Sequence, residues 1–209
     1  MTDLDFFFDP VCPWAWITSR WVTDVQASRQ YEVSWKFISL RMINTDRGYL
    51  PDSPYEKTHT VGLQGLRVAS AARAKAGNSA VAAFYTQLGI AYHVHGRREA
   101  ITSPQQFFSE VAASAGLPTE IADAWQDTAH DSVIRYETDL ALSRTGKDVG
   151  TPILTFAPNS DRAASLFGPV ISKAPVGDEA VKLWDAVQTL AQSGVAEFKR
   201  SLRAAPDFT

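Results

Sequence analysis

Cysteine is almost absent from this 209-residue chain: Cys12 is the only one. An internal disulfide is therefore excluded, and with it any cycle in which the chain oxidises a substrate with two thiols of its own. Long apolar runs are missing too. No stretch reaches the roughly 18 apolar residues of a membrane helix, and the opening MTDLDFFF lacks the basic segment and longer apolar core of a secretory signal, so a cytoplasmic location is expected. There is no excess of basic charge. A formal net charge of −3 argues against a nucleic-acid partner, which leaves a basic footprint. Internal repeats and low-complexity linkers are also lacking, and Gly62, Gly65 and Gly89 form no phosphate-binding pattern. What remains is an ordinary globular composition, 45% hydrophobic and 21% charged, sufficient for a sizeable core in one domain or in one domain with a large insertion.

Leu4–Phe8 is a short, Phe-rich apolar run, as expected of a central strand buried on both faces, and Asp9-Pro10 ends it. From Pro13 the residues Trp14, Ile17, Trp21 and Val25 recur at helical spacing as far as Ser28, and Tyr31–Ser39 then alternates like a strand. Strand, helix, strand makes a βαβ unit. After Leu50 the pattern predicts helices near 58–76, 79–95, 104–115, 118–127 and 128–145. Ser103-Pro104-Gln105-Gln106 reads as a capping box with proline at the first helical position, and Gly77 and Gly116 read as stops. Pro152–Ala157, the turn PNSD and Ala164–Phe167 predict a hairpin, and Gly177-Asp178 opens a last helix. The order βαβ, helical block, ββα predicts an α/β fold: a four-stranded sheet with the first strand central, interrupted by an all-helical insertion. The expected division is 1–57 with 146–209 around an inserted 58–145.

Cys12 stands where the first strand hands over to a helix beginning with Pro13. At such an N-cap the unpaired backbone N–H groups and the positive end of the helix dipole favour an anion, which lowers a thiol pKa from about 8.5 towards roughly 3.5–7.5. A reactive thiolate is the expectation, although a lone cysteine is more commonly a small buried hydrophobe. Trp14, just beyond the thiol, is expected to wall a substrate cleft.

The stretch DPVCPWAW, the longer FDPVCPWAWITSRW, GKDVGTP at 146–152 and FGPVISKAPVGDEAVKLWD at 167–185 resemble the DsbA-like thioredoxin-fold proteins. The resemblance is to their actinobacterial branch of mycothiol-dependent oxidoreductases and nitroreductases. It implies a thioredoxin fold with four mixed strands and a helical insertion, Cys12 as nucleophile, and Pro13, Trp14 and Ala15 at the start of the active-site helix. It also implies a cis-proline loop at Thr151-Pro152 that offers its backbone to a thiol ligand. The co-substrate would be mycothiol or another low-molecular-weight thiol, the acceptor a small disulfide or an electrophilic or nitro compound, and the assembly a monomer or homodimer. Position 15 departs from the pattern, since relatives commonly carry a resolving cysteine there. A natural monothiol enzyme and a residue replaced to trap an intermediate are both compatible with Ala15. Either way Cys12 would exchange with an outside thiol through a mixed disulfide.

Two other readings share the fold: a kappa-type glutathione transferase or 2-hydroxychromene-2-carboxylate isomerase relative, usually with serine in place of Cys12, and a non-catalytic binding or chaperone module. The resemblance places His93, and Tyr55 near the substrate pocket, beside the readings of a structural histidine and an exposed loop tyrosine. His93 and His95 are poorly spaced to share a metal, and no metal is expected. Arg20, Arg41 and Arg67 are candidates to pair with a carboxylate of a thiol cofactor.

Overall fold

In the computed structural model, which describes residues 3–200 and 202–209, the Phe-rich run is β1 (Leu4–Phe8), the second strand in the order β2-β1-β3-β4. Being central explains its composition, because alternate side chains must all be buried. Phe6 and Phe8 enter the main core, and Phe7 joins a smaller cluster with Ile38, Ile43, Ala141 and Ile153. Asp5 is the exception in the strand. It is buried too, and meets Arg144 at 2.8 Å.

β2 (Val33–Phe37) pairs parallel to β1, with Phe6 opposite Trp35, while β3 (Ile153–Phe156) pairs antiparallel on the other side, with Phe6 opposite Leu154. β4 (Ala164–Phe167) completes a hairpin with β3. The outer edge of β2 is covered by side chains. Trp35 N donates to Asn78 Oδ1 at 2.8 Å, Asn78 Nδ2 donates to the Val33 carbonyl at 2.6 Å, and Phe37 N donates to Glu137 Oε2 at 2.8 Å. Glu137 is buried and also holds Arg73 at 2.8 Å.

α1 (Pro13–Arg29) follows β1 and packs on α6 (Gly177–Ala191), where the Trp21 and Trp184 rings lie 5.6 Å apart and Trp21 Nε1 donates to the Ala180 carbonyl. Between β2 and β3 runs the helical block: α2 (Leu40–Arg47), α3 (Tyr55–Gly89), α4 (Pro104–Ser114) and α5 (Asp131–Thr145). The mixed four-stranded sheet with a helical insertion is the expected fold class. Residues 1, 2 and 201 of the expected division lie outside the described residues.

Several elements differ from the sequence pattern. α2 has no counterpart in the sequence expectation, and Ser39, the last residue of the expected strand 31–39, is instead its cap, whose Oγ accepts from Met42 N. The helices expected at 58–76 and 79–95 lie end to end within α3, and the expected stop at Gly77 is where they part: Ala76 and Gly77 leave helical geometry, Gly77 at φ +76°, a conformation that only glycine adopts freely. The last turn, Ile90–Val94, is π-helical, a widened turn that is frequent at functional sites. Thr119–Gln126, where an α-helix is expected at 118–127, is a 3₁₀ stretch, and Thr128–His130, the start of the one expected at 128–145, is a 3₁₀ turn ahead of α5. The Ser103 side chain makes no capping bond, its backbone at φ −141°, ψ 59° being off the usual cap geometry, and Gln106 turns to Glu110 instead.

Candidate active site

Cys12 is the N-cap of α1, with Pro13 at the first helical position; its Sγ accepts from Ala15 N at 3.5 Å. Across the strand ends, the Cys12 thiol donates to the Thr151 carbonyl at 3.4 Å. The Thr151-Pro152 peptide bond is cis. Thr151 Oγ1 donates to the Phe7 carbonyl at 2.9 Å, and the Pro152 carbonyl accepts from Gly168 N at 2.8 Å, so the loop is tied to the sheet on both sides. Cys12, Ala15, Thr151 and Pro152 are thus brought together by residues far apart in the chain. Trp14 is half-buried beside them, whereas the core face of α1 carries Trp16, Ile17, Trp21 and Val25.

The protonation of the thiol differs from the sequence expectation. Only 7% of Cys12 is exposed, and burial pushes its pKa from 9.0 up to about 12, with the nearby Asp9 adding to the rise. The N–H groups of Ala15 and Trp14 work in the opposite direction. Loss of water around the sulfur outweighs the helix terminus, so the closed site holds a neutral thiol that donates its proton to Thr151.

Asp9 was read only as the end of a strand. Its carboxylate accepts from Val11 N at 3.1 Å and Leu40 N at 2.8 Å, fastening the turn before Cys12 to the start of α2. Full burial raises its pKa to about 7 against those two bonds. Its exposure is nil, so nothing but the backbone groups offsets the lost hydration.

His93 lies in the π-helical turn and is buried. Its Nε2–H donates to the Pro10 carbonyl at 2.8 Å, which sets the tautomer and leaves Nδ1 unprotonated; burial lowers its pKa to about 4. The ring stacks at 20° on Trp16, 6.0 Å between centroids. Trp16 in turn carries the Arg20 guanidinium 4.2 Å from its ring centroid. Gly89 makes this possible, since a Cβ there would overlap the Trp16 ring. Trp16 lies outside the Trp14, Ile17, Trp21, Val25 series that the sequence spacing picks out.

The other candidates separate. Tyr55 is 64% exposed and stacks on His59, whose Nδ1 meets Tyr49 Oη at 2.9 Å, a cluster of its own. Arg41 pairs with Glu56, and Arg67 pairs with Asp131 through two nitrogens at 2.7 and 2.8 Å. Arg20 instead donates to Ser19 and Thr86 hydroxyls, with no carboxylate partner among the described residues. Among those residues no three His, Cys, Asp or Glu side chains are gathered as a metal ion would require, and no helix is long and apolar enough to cross a membrane.

The model of the family described as mycothiol-dependent nitroreductase Rv2466c, or Rv2466c-like, matches residues 11–200. The chain belongs to this family. The uncharacterized protein Rv2286c of Mycobacterium tuberculosis (strain ATCC 25618 / H37Rv) is 31% identical over 193 residues, which is 91% of this chain and 78% of that protein. Among solved structures, the cytosolic disulfide reductase DsbM from Pseudomonas aeruginosa, with GSH, aligns at a TM-score of 0.59 and 17% identity, covering 88% of this chain and 98% of its own. A 2-hydroxychromene-2-carboxylate isomerase aligns at 0.57 and 15%, covering 90% and 95%. At such identities these two show the fold alone, which is DsbA-like and thioredoxin-type. Membership of the mycothiol-dependent family makes the protein a thiol-dependent oxidoreductase with a low-molecular-weight thiol as co-substrate.

Proposed function

We propose that Cys12 is the nucleophile of a monothiol exchange, in which mycothiol reduces a small mixed disulfide or an electrophilic aromatic compound such as a nitro compound. The observation that carries this reading is the 3.4 Å approach of Cys12 Sγ to the Thr151 carbonyl, at the mouth of α1 and across the cis-proline loop. An extended thiol ligand laid along that loop would bring its sulfur to the same place, by a short form of strand addition.

With a disulfide the steps balance without a second protein thiol. The Cys12 proton leaves to solvent, and the thiolate attacks the sulfur of the mycothiol half of the substrate. A Cys12–mycothiol disulfide forms, the substrate S–S bond breaks, and the other half departs as a thiolate that takes up a proton. A second mycothiol thiolate then attacks the mycothiol sulfur of the mixed disulfide, giving mycothiol disulfide and restoring Cys12. The net change is one disulfide reduced and one mycothiol disulfide formed. Ala15, buried and without a thiol, leaves the second step to the co-substrate.

A neutral thiol exchanges slowly, so deprotonation belongs to an opened state. Admitting ligand and water lifts part of the desolvation penalty, after which the Ala15 N–H and the first turn of α1 hold the anion. Such chemistry needs a pool of reduced thiol, which supports a cytoplasmic location. The reading is tested by incubating the purified protein with oxidised mycothiol and weighing it. An adduct of one mycothiol that disappears in Cys12→Ser supports it. No adduct on the unsubstituted chain overturns it and favours the transferase reading, in which the protein thiol forms no bond.

A further inference from the structure

Residues 202–209 fold back to the start of α1 and touch Trp14 and His93. The Arg203 guanidinium lies 5.9 Å from the Trp14 ring centroid, two residues after Cys12. The Phe208 ring lies 5.6 Å from that of His93, which holds the Pro10 carbonyl two residues before Cys12. Between these two contacts the segment is clasped to the loop ahead of α6. Asp207 N donates to the Ser172 carbonyl at 2.7 Å, Ser172 Oγ donates to the Ala204 carbonyl at 3.1 Å, and Lys173 Nζ meets Asp207 at 2.9 Å. The groove beneath, about 460 Å³, runs along α1 past Trp16, Arg20 and Asp24, and Phe208 forms part of its wall.

We propose that residues 203–208 are a strap laid across the thiol site, and that Phe208 keeps the place of a planar aromatic ligand bearing a negative or nitro group.

Three observations carry this. The Lys173–Asp207 ion pair of the clasp is exposed, and an exposed ion pair is worth little, so it holds the strap only weakly. The tether from Gln192 to Arg200 is exposed and without regular structure, which gives the strap freedom to leave. The surface under Phe208 is also suited to such a ligand: the His93 ring, backed by Trp16, presents a flat face to Phe208, and Arg20, which shares the groove with Asp24, brings a positive charge that no carboxylate of the described residues pairs directly. The proposal goes beyond the exchange chemistry by naming what must move before the thiol, 7% exposed, can be reached.

Thiol labelling tests it without mycothiol, so its outcome is independent of the exchange reading. Because the chain has a single cysteine, 5,5′-dithiobis(2-nitrobenzoate) reports on Cys12 alone. The Cys12 thiolate attacks the aromatic disulfide, forms a mixed disulfide and expels one coloured thionitrobenzoate. Iodoacetamide serves as the small non-aromatic comparison. Phe208→Ala and deletion of residues 201–209 are expected to raise the aromatic reagent's rate about tenfold or more, and the iodoacetamide rate only a few-fold, as the open fraction grows. Lys173→Ala, which removes one exposed clasp and leaves the core untouched, is expected to raise both rates by a smaller factor. Unchanged rates in the folded deletion variant and in Lys173→Ala would overturn the strap. Equal acceleration of the two reagents would overturn the aromatic place assigned to Phe208.

Discussion

The Cys12 thiol donates its proton to the Thr151 carbonyl at 3.4 Å, so the resting site pairs a neutral donor with an acceptor 139 residues further along the chain. A thiolate at that position would face the carbonyl oxygen's negative end. The arrangement therefore favours a protonated resting state and a ligand-dependent active one.

Replacement of Cys12 by serine keeps a donor for Thr151 and removes the proposed nucleophile. Turnover of a mycothiol mixed disulfide is expected to fall on the order of a thousandfold, with the melting temperature within a few degrees of the parent. Retained turnover would assign the chemistry elsewhere.

Because burial pushes Cys12 up to about 12, its thiolate fraction keeps growing through the accessible pH range. Alkylation by iodoacetamide is expected to accelerate about tenfold per pH unit between about pH 7 and 10 with no plateau. Monitoring the rate by mass spectrometry settles it; a plateau below about pH 8 would show that the thiol ionises as an exposed, helix-stabilised anion does.

Restoring a second thiol gives a distinct outcome. In Ala15→Cys the new sulfur sits one helical turn into α1, on the residue whose N–H already points at Cys12 Sγ. After treatment with oxidised mycothiol the variant is expected to lose two hydrogens as an internal disulfide. The parent is expected to accumulate the mixed disulfide. An equal adduct yield in both would mean that the buried position 15 cannot reach Cys12.

Asp9 links the site to overall stability. Its folded pKa of about 7 lies above the ordinary 3.8, so the folded chain binds the proton more tightly than the unfolded one. The resulting contribution is fully present below the ordinary value and is lost as pH rises through about 7, an amplitude on the order of 4 kcal/mol. Urea unfolding followed at several pH values between about 4 and 8 should show this decline in the parent and a flatter profile in Asp9→Asn. Parallel profiles would remove Asp9 as its source.

Gly89→Ala forces a methyl group into the Trp16 ring. Overpacking of this kind costs roughly 1–3 kcal/mol, or several degrees of melting temperature for a chain of this size. Thermal unfolding read by tryptophan fluorescence checks it, and an unchanged melting point would show that the α3 face has room to spare.

Local signals carried much of this in advance. The Phe run, the cysteine before a proline, and the PNSD turn each report on their immediate neighbours, and the sheet and the strand-to-helix junction followed from them. What stayed hidden depends on distant parts of the chain. Desolvation of Cys12 is set by surroundings that no helix-cap argument includes. Arg20, Arg41 and Arg67 look alike in sequence, yet only folding decides that Glu56 and Asp131 neutralise the last two. Trp16 reads as one more apolar residue until the π-helical turn sets His93 against it. The segment 202–209 carries no periodicity to announce that it folds back.

The side chains that cover β2 also set what this sheet can join. Asn78 and Glu137 already occupy the outward donors of Trp35 and Phe37 and the carbonyl of Val33, as an adjoining strand would. An intruding chain would have to evict a buried carboxylate and its arginine before it could add there. On that flank the protein is guarded against edge-to-edge pairing with another sheet.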